Sequence, residues 1–288
     1  MFHRRPGLTL VLLLTAALQP FGARPAGAAV PDLTTDSRPR FLVGASTPDE
    51  RLGRLDLERV FRAKLGSPDP RPTATTFTVW DEGAVRAWVR AAPAGSAGAF
   101  WHEPENDPQA MPAALWAQRT RQLADIVVQE QRVGQVTPAA TLMAWTLDPR
   151  AGRQDLLDTL LSAEVLQALR DAVGVLGWDS YAGPAAGRTP EQMFAAAAQF
   201  STDHDLPWVV METGARQSEP NPEDAAAWRD RFLYLAGDLA GHPIATSPRW
   251  VLAWNPTDRN DGVFAVQRFP DTAAVWRWAA ARYGRSIG

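Results

Sequence analysis

The chain has 288 residues, of which 45% are hydrophobic and 21% charged, enough for one large folded domain and not the composition of a disordered chain. With 29 basic and 32 acidic side chains it has no basic surplus for a nucleic-acid backbone, so no nucleic-acid partner is expected. Cysteine is absent, which excludes a disulfide scaffold, thiolate catalysis and cysteine-ligated zinc.

In chain order, His3, Arg4 and Arg5 precede an apolar run over residues 8–18 (LTLVLLLTAAL), and Ala26-Gly27-Ala28 has the small-x-small pattern of a cleavage site. Residues 1–29 are therefore expected to be a signal peptide, 30–40 a polar lead-in and 41–288 the functional domain of an exported protein, extracellular or periplasmic. The apolar run is too short for a helix across a bilayer of ~30 Å, and no later stretch is longer, so no retained membrane anchor is expected.

Short apolar runs then alternate with helical patterns. Strands are expected at 41–45, 57–62, 75–80 and 98–102, then at 141–146, 173–178, 207–211 and 250–255. Their near-continuous apolar character suits strands of a parallel sheet, covered on both faces. Thr47-Pro48-Asp49-Glu50, Thr189-Pro190-Glu191-Gln192 and Asn221-Pro222-Glu223-Asp224 each join an N-cap oxygen, a proline at the first helical position and acids in the first turn. Helices are also expected over 112–130, 155–170 and 271–283. One βα unit per roughly 31 residues predicts an α/β fold, a compact (β/α)8 TIM barrel. A doubly wound sheet fits less well, because Ser46-Thr47-Pro48 follows the first strand where a G-x-G-x-x-G loop would stand.

In a barrel, chemistry gathers where strands end. The fourth run leads into Trp101-His102-Glu103-Pro104-Glu105-Asn106, and the seventh into Met211-Glu212-Thr213-Gly214. An acid at the end of an apolar strand is costly unless it is paired or used. Glu103 and Glu212 could face each other across the mouth, the arrangement of a retaining glycosidase, in which one carboxyl protonates the leaving oxygen and the other attacks carbon. Trp80, Trp101, Trp145, Trp178, Trp208 and Trp254 lie in or beside strands, where flat rings can bind sugars or simply pack; Trp208, early in its strand, is expected in the core.

On these motifs the chain resembles glycoside hydrolase family 26, a family of barrel hydrolases with acids on strands four and seven, over about residues 41–280. The resemblance implies that Glu103 is the general acid/base with His102 beside it, and that Glu212 is the nucleophile. It further implies that Tyr181 hydrogen-bonds the nucleophile, that Trp254 floors the sugar at the cleavage point, and that β-mannan is the default substrate. Trp101, Glu105, Asn106 and Asp179 complete the expected substrate site. One departure is Glu105, which stands where related mannanases carry a neutral asparagine and adds charge near Glu103. A hydrolase of another β-glycan (glucan, xylan or a cell-wall glycan) and a non-catalytic carbohydrate-binding barrel are the alternatives.

Competing motifs fail. Asn106 stands where the second histidine of a zinc-protease helix would be, so no metal and no cofactor is expected. Ala94-Gly95-Ser96-Ala97-Gly98 lacks the first glycine of a nucleophile elbow. Asp258-Arg259-Asn260-Asp261-Gly262 lacks calcium-loop spacing and reads as a polar turn. His204 is expected at a solvated helix end, and Arg59 in an ion pair at the barrel's end, with reach to the substrate site as the alternative. The expected partner is a polysaccharide or oligosaccharide, bound by a monomer.

Overall fold

The computed structural model describes residues 40–284 apart from 49, 54, 185–186, 219–220 and 256–263; the expected signal peptide, residues 30–39 of the lead-in and the polar turn at 258–262 lie outside the described residues. Eight parallel strands close into a barrel in sequence order: β1 (Leu42–Ser46), β2 (Leu57–Arg62), β3 (Thr73–Phe77), β4 (Ser96–Phe100), β5 (Val136–Met143), β6 (Val175–Pro184), β7 (Trp208–Arg216) and β8 (Trp250–Ala253), with β8 pairing back onto β1. The expected (β/α)8 barrel is the fold.

Helices α1 (Glu82–Ala91), α2 (Ala113–Gln129), α3 (Gln154–Leu160), α4 (Ala163–Asp171), α5 (Pro190–Asp203), α6 (Pro222–Leu235) and α7 (Pro270–Tyr283) follow β3 to β8, with two after β5. Two of the expected helix starts are present. Thr189 caps α5 in a reciprocal box with Gln192, and Asn221 caps α6 by accepting from the Glu223 N–H, with proline opening both helices. The third, at Thr47, yields only a 3-10 turn, Glu50–Leu52. Ten residues separate β1 from β2, too few for a full crossover helix. Between β2 and β3 no helix forms, since Pro68, Pro70 and Pro72 forbid one. The expected helix over 155–170 breaks at Leu161-Ser162, so that Leu160 and Leu161 are buried before the Val165, Leu166 and Leu169 stripe of α4 begins.

Several strands begin earlier or end elsewhere than their apolar runs suggest. β3, β4 and β5 start in Thr73, Ser96 and Val136, whereas Trp80, Trp101, His102 and Trp145 lie beyond the strand ends. Trp80 and Trp101 are drawn to the segments after their strands by packing against the outer core. β6 and β7 run on past their apolar runs, so Asp179, Tyr181 and Glu212 stand within strands.

The inward faces of the strands supply a small inner core of Leu57, Ala74, Ala97, Ala99, Ala139, Val175, Val209, Met211, Trp250 and Leu252. Small residues admit a few large ones: a Cβ on Gly177 would come within 2.6 Å of Met211 Cγ. Between barrel and helices lies a larger core, in which Trp88, Trp116, Trp178, Trp228 and Trp276 are fully buried. Trp208 is buried as expected, its indole N–H donating to the Thr246 carbonyl at 3.1 Å. Among the described residues, no helix is long and apolar enough to cross a membrane.

Candidate active site

The C-terminal ends of β2, β4, β6, β7 and β8 converge on a charged centre. Its geometry starts with a bulge. On β6 Trp178 and Asp179 are consecutive, but they pair with Val210 and Glu212 of β7, leaving Met211 as the extra residue. A bulge breaks the two-residue alternation of a strand, so Met211 and Glu212 both serve the barrel interior. Met211 fills the inner core, and Glu212 comes level with Asp179.

One carboxyl oxygen from each of Glu103, Asp179 and Glu212 lies within 4.8 Å of the other two. Three carboxyls this close repel strongly unless a cation or protons intervene. The cation is Arg59 from β2, fully buried, with Nη1 at 3.1 Å from Glu212 Oε1 and 3.5 Å from Asp179 Oδ1. The same nitrogen donates to the Met211 carbonyl, and Nη2 to Thr76 Oγ1 at 3.4 Å. Arg59 thus forms the expected ion pair, buried among the strand ends that carry the candidate site. The three oxygens are the candidate metal-holding group among the described residues, but the guanidinium already supplies positive charge between two of them.

The Tyr181 hydroxyl donates to Glu212 Oε2, so that each oxygen of this carboxyl faces its own partner, Arg59 or Tyr181. Burial and the neighbouring acids push the Tyr181 hydroxyl well above its ordinary pKa, which keeps it a donor. The Glu-Thr-Gly sequence acquires its reason here: a Cβ on Gly214 would stand 3.0 Å from the Tyr181 ring and 3.1 Å from that of Phe264. Asp179 is fully buried, and burial together with Glu212 drives its pKa well above the usual carboxylate range.

Glu103 hangs over this centre from the loop after β4. Trp101 and Glu103 both take left-handed backbone angles, φ 55° and 52°, a strained arrangement for residues with side chains. Burial, then the Glu212 charge, raise the Glu103 pKa, while a 3.0 Å hydrogen bond from the exposed Asn106 amide works against them. His102 is held neutral, its pKa lowered to about 3 by burial and by the Arg59 charge. Trp101 is half-buried and packs on the outer core. Trp254 is also half-buried, just past β8, its backbone N–H donating to the Thr213 carbonyl at 2.9 Å.

Arg59, weighed from sequence between an ion pair at the barrel's end and reach to the substrate site, pairs with Glu212 and Asp179 at the centre of the candidate site. Phe61, two residues on, went unnoticed because an aromatic in a strand reads as core. His204 stands at the end of α5 as expected but half-buried, with Nδ1 at 2.8 Å from the Phe200 carbonyl and its ring stacked on Phe200.

Glu105 occupies a different place from the other acids. It is 4% exposed and accepts the Met143 N–H at the end of β5, tying the β4 loop to the neighbouring strand. Burial raises its pKa from 4.5 to about 7. The folded state therefore holds this proton more tightly than the unfolded chain, and stability falls as pH rises from 4.5 to about 7. The shift corresponds to roughly 3 kcal/mol. Glu105→Gln cannot titrate, and any cost of its buried amide is the same at every pH. We expect its melting temperature relative to the parent to rise by about 6–12 °C between pH 4 and pH 8, followed by calorimetry. A constant difference would show that Glu105 does not titrate in this window.

No family model matches the chain, and no curated protein does. Solved structures do. An endo-β-1,3-glucanase of family GH128, subgroup I, from Amycolatopsis mediterranei, in complex with laminaritriose, aligns with TM-score 0.54 and 16% identity over 83% of this chain and 99% of that one. A glucosidase from Croceicoccus marinus aligns with TM-score 0.55 and 13% identity over 84% and 68%. The chain shares the barrel fold of these two proteins. A GH26 β-mannanase from Bacteroides ovatus gives TM-score 0.45 and 12% identity over 86% of this chain and 90% of that one.

Proposed function

We propose that the protein is an exported retaining glycoside hydrolase acting on a β-linked glycan, with Glu103 as acid/base and Glu212 as nucleophile. The observation that carries this reading is the approach of the Glu103 and Glu212 oxygens to within 4.8 Å. Retaining enzymes hold their carboxyls about 5–5.5 Å apart, whereas inverting ones need roughly 6.5–9.5 Å to seat a water between them. Export rests on the basic, apolar and small-residue segments of the first 29 residues.

Glu103, whose raised pKa keeps it protonated to higher pH than a free carboxyl, gives its proton to the glycosidic oxygen. Glu212, oriented by Arg59 and Tyr181, attacks the anomeric carbon as the bond to that oxygen breaks. A glycosyl ester forms on Glu212 and the first sugar product leaves. Glu103, now a carboxylate, takes a proton from water; the resulting hydroxide equivalent attacks the same carbon and releases Glu212. Protons balance over the cycle, and the anomeric configuration is inverted twice, hence retained.

For the substrate we place β-1,3-glucan first, since an endo-β-1,3-glucanase and a glucosidase are among the structures that share the fold above a TM-score of 0.5. β-Mannan remains the second substrate on the strength of the His102-Glu103 and Glu212-Thr213-Gly214 motifs. Reducing-end release from laminarin, β-mannan, xylan and mixed-linkage glucan decides between them. We expect activity on one of these glycans, lost in Glu103→Gln and in Glu212→Gln. Saturable glycan binding without any reducing-end release would make the protein a binding barrel.

A further inference from the structure

Phe61 stands at the mouth end of β2. Leu57, Arg59 and Phe61 share the inward face of that strand, since alternate residues point the same way. Leu57 belongs to the apolar floor, Arg59 to the charged centre, and Phe61 lies above both at the level where a substrate enters. The Arg59 guanidinium carbon sits 4.6 Å from the centre of the Phe61 ring. The rings of His102 and Trp254 meet it at right angles, 5.3 and 5.7 Å away. Three neighbours from three strand ends thus hold one ring in place, yet Phe61 remains 39% exposed.

A large apolar side chain left partly open over a charged cleft forgoes burial worth ~25 cal/mol per Å². Nothing in packing demands that loss, because a small polar residue at the rim would avoid it. With the guanidinium, His102 and Trp254 against parts of the ring, the rest of it carries the 39% exposure and is free to meet a ligand. A phenyl ring has no hydroxyl or N–H to offer, so its complement is an apolar surface. The C–H face of a β-linked pyranose is such a surface, and aromatic rings gain extra attraction from such contacts when held rigid.

We propose that Phe61 is a substrate-binding, specificity-determining residue, stacking its open side on a sugar ring that enters beside Trp254 and His102. This rests on the hydrolase reading above. The ring's second consequence is to keep water off Arg59, whose hold on Glu212 a low-dielectric cover strengthens.

The test uses the mature protein carrying Phe61→Ala and Phe61→Trp, assayed on the best glycan and on its oligosaccharides. For Phe61→Ala we expect KM to rise about tenfold or more, with a smaller loss in kcat and a melting temperature close to that of the parent. Phe61→Trp should recover most of the lost affinity. Calorimetry of oligosaccharide binding to Glu212→Gln, with and without Phe61→Ala, should show the same tenfold loss where no turnover occurs. An unchanged KM in Phe61→Ala, or a fall in kcat and stability that Phe61→Trp fails to recover, overturns the proposal while leaving the hydrolase reading intact. A parent protein that neither cleaves nor binds any glycan overturns both.

Discussion

Glu212→Gln is expected to lose on the order of 10⁴-fold or more in kcat while melting within a few degrees of the parent. The amide keeps the size of the side chain and an oxygen for Tyr181, and Asp179 stays 3.5 Å from Arg59 as its carboxyl partner, so folding changes little, but the amide cannot form the glycosyl ester. The more incisive variant is Glu212→Ala, which opens a space below the anomeric carbon. Azide entering that space attacks from the nucleophile's side and gives a glycosyl azide of inverted configuration. In Glu103→Ala the ester on Glu212 still forms from a substrate with a good leaving group, and azide then attacks from the other side, giving retained configuration. The two product configurations, read by NMR, distinguish the two roles as loss of activity alone cannot. Azide products of the same configuration from both variants would refute the assignment.

Arg59→Met should have the largest effect on stability. Removing one partner of a buried ion pair leaves an uncompensated charge and costs about 3–5 kcal/mol. In a domain of this size that lowers the melting temperature by roughly 6–20 °C. Glu212 and Asp179 would then face each other inside the barrel with no cation between them. Adding Asp179→Asn should recover part of the loss, because it removes the facing acid. Arg59→Lys should recover less than its charge suggests, since one ammonium cannot serve Glu212, Asp179, Thr76 and the Met211 carbonyl together. Calorimetry on the three variants, with activity in parallel, measures this. A melting temperature unchanged in Arg59→Met would show that the pair contributes nothing net to folding.

These expectations draw unevenly on sequence and structure. The alternation of apolar runs with capped helices was legible along the chain, because strand burial and helix starts are local properties. β2 falls at the residues expected of it, and α5 and α6 start on the capping residues expected of them. The single helix expected over 155–170 failed because leucines at helical spacing cannot show where a chain must turn to bury two faces. The ends of β3, β4 and β5 were misplaced because apolarity marks what is covered, and the mouth of a barrel covers aromatics that belong to no strand.

For the site, local sequence determined the chemical types: two glutamates beside apolar runs, a tyrosine after another, and a glycine two residues after the second glutamate. Which of them meet was decided only by closure of the barrel. Arg59 and Asp179 are 120 positions apart in the chain, and no periodicity links them. The bulge at Met211 is equally invisible, since it exists only in the register between β6 and β7. Without it a strict two-residue alternation would turn Glu212 away from the interior that Met211 faces. Phe61 owes its place above Arg59 to the same alternation, and its exposure to the opening of the barrel beside it. Residue identity therefore set what chemistry the chain could perform, and long-range strand pairing set where it is performed, because distances across a closed sheet depend on register and not on separation in sequence.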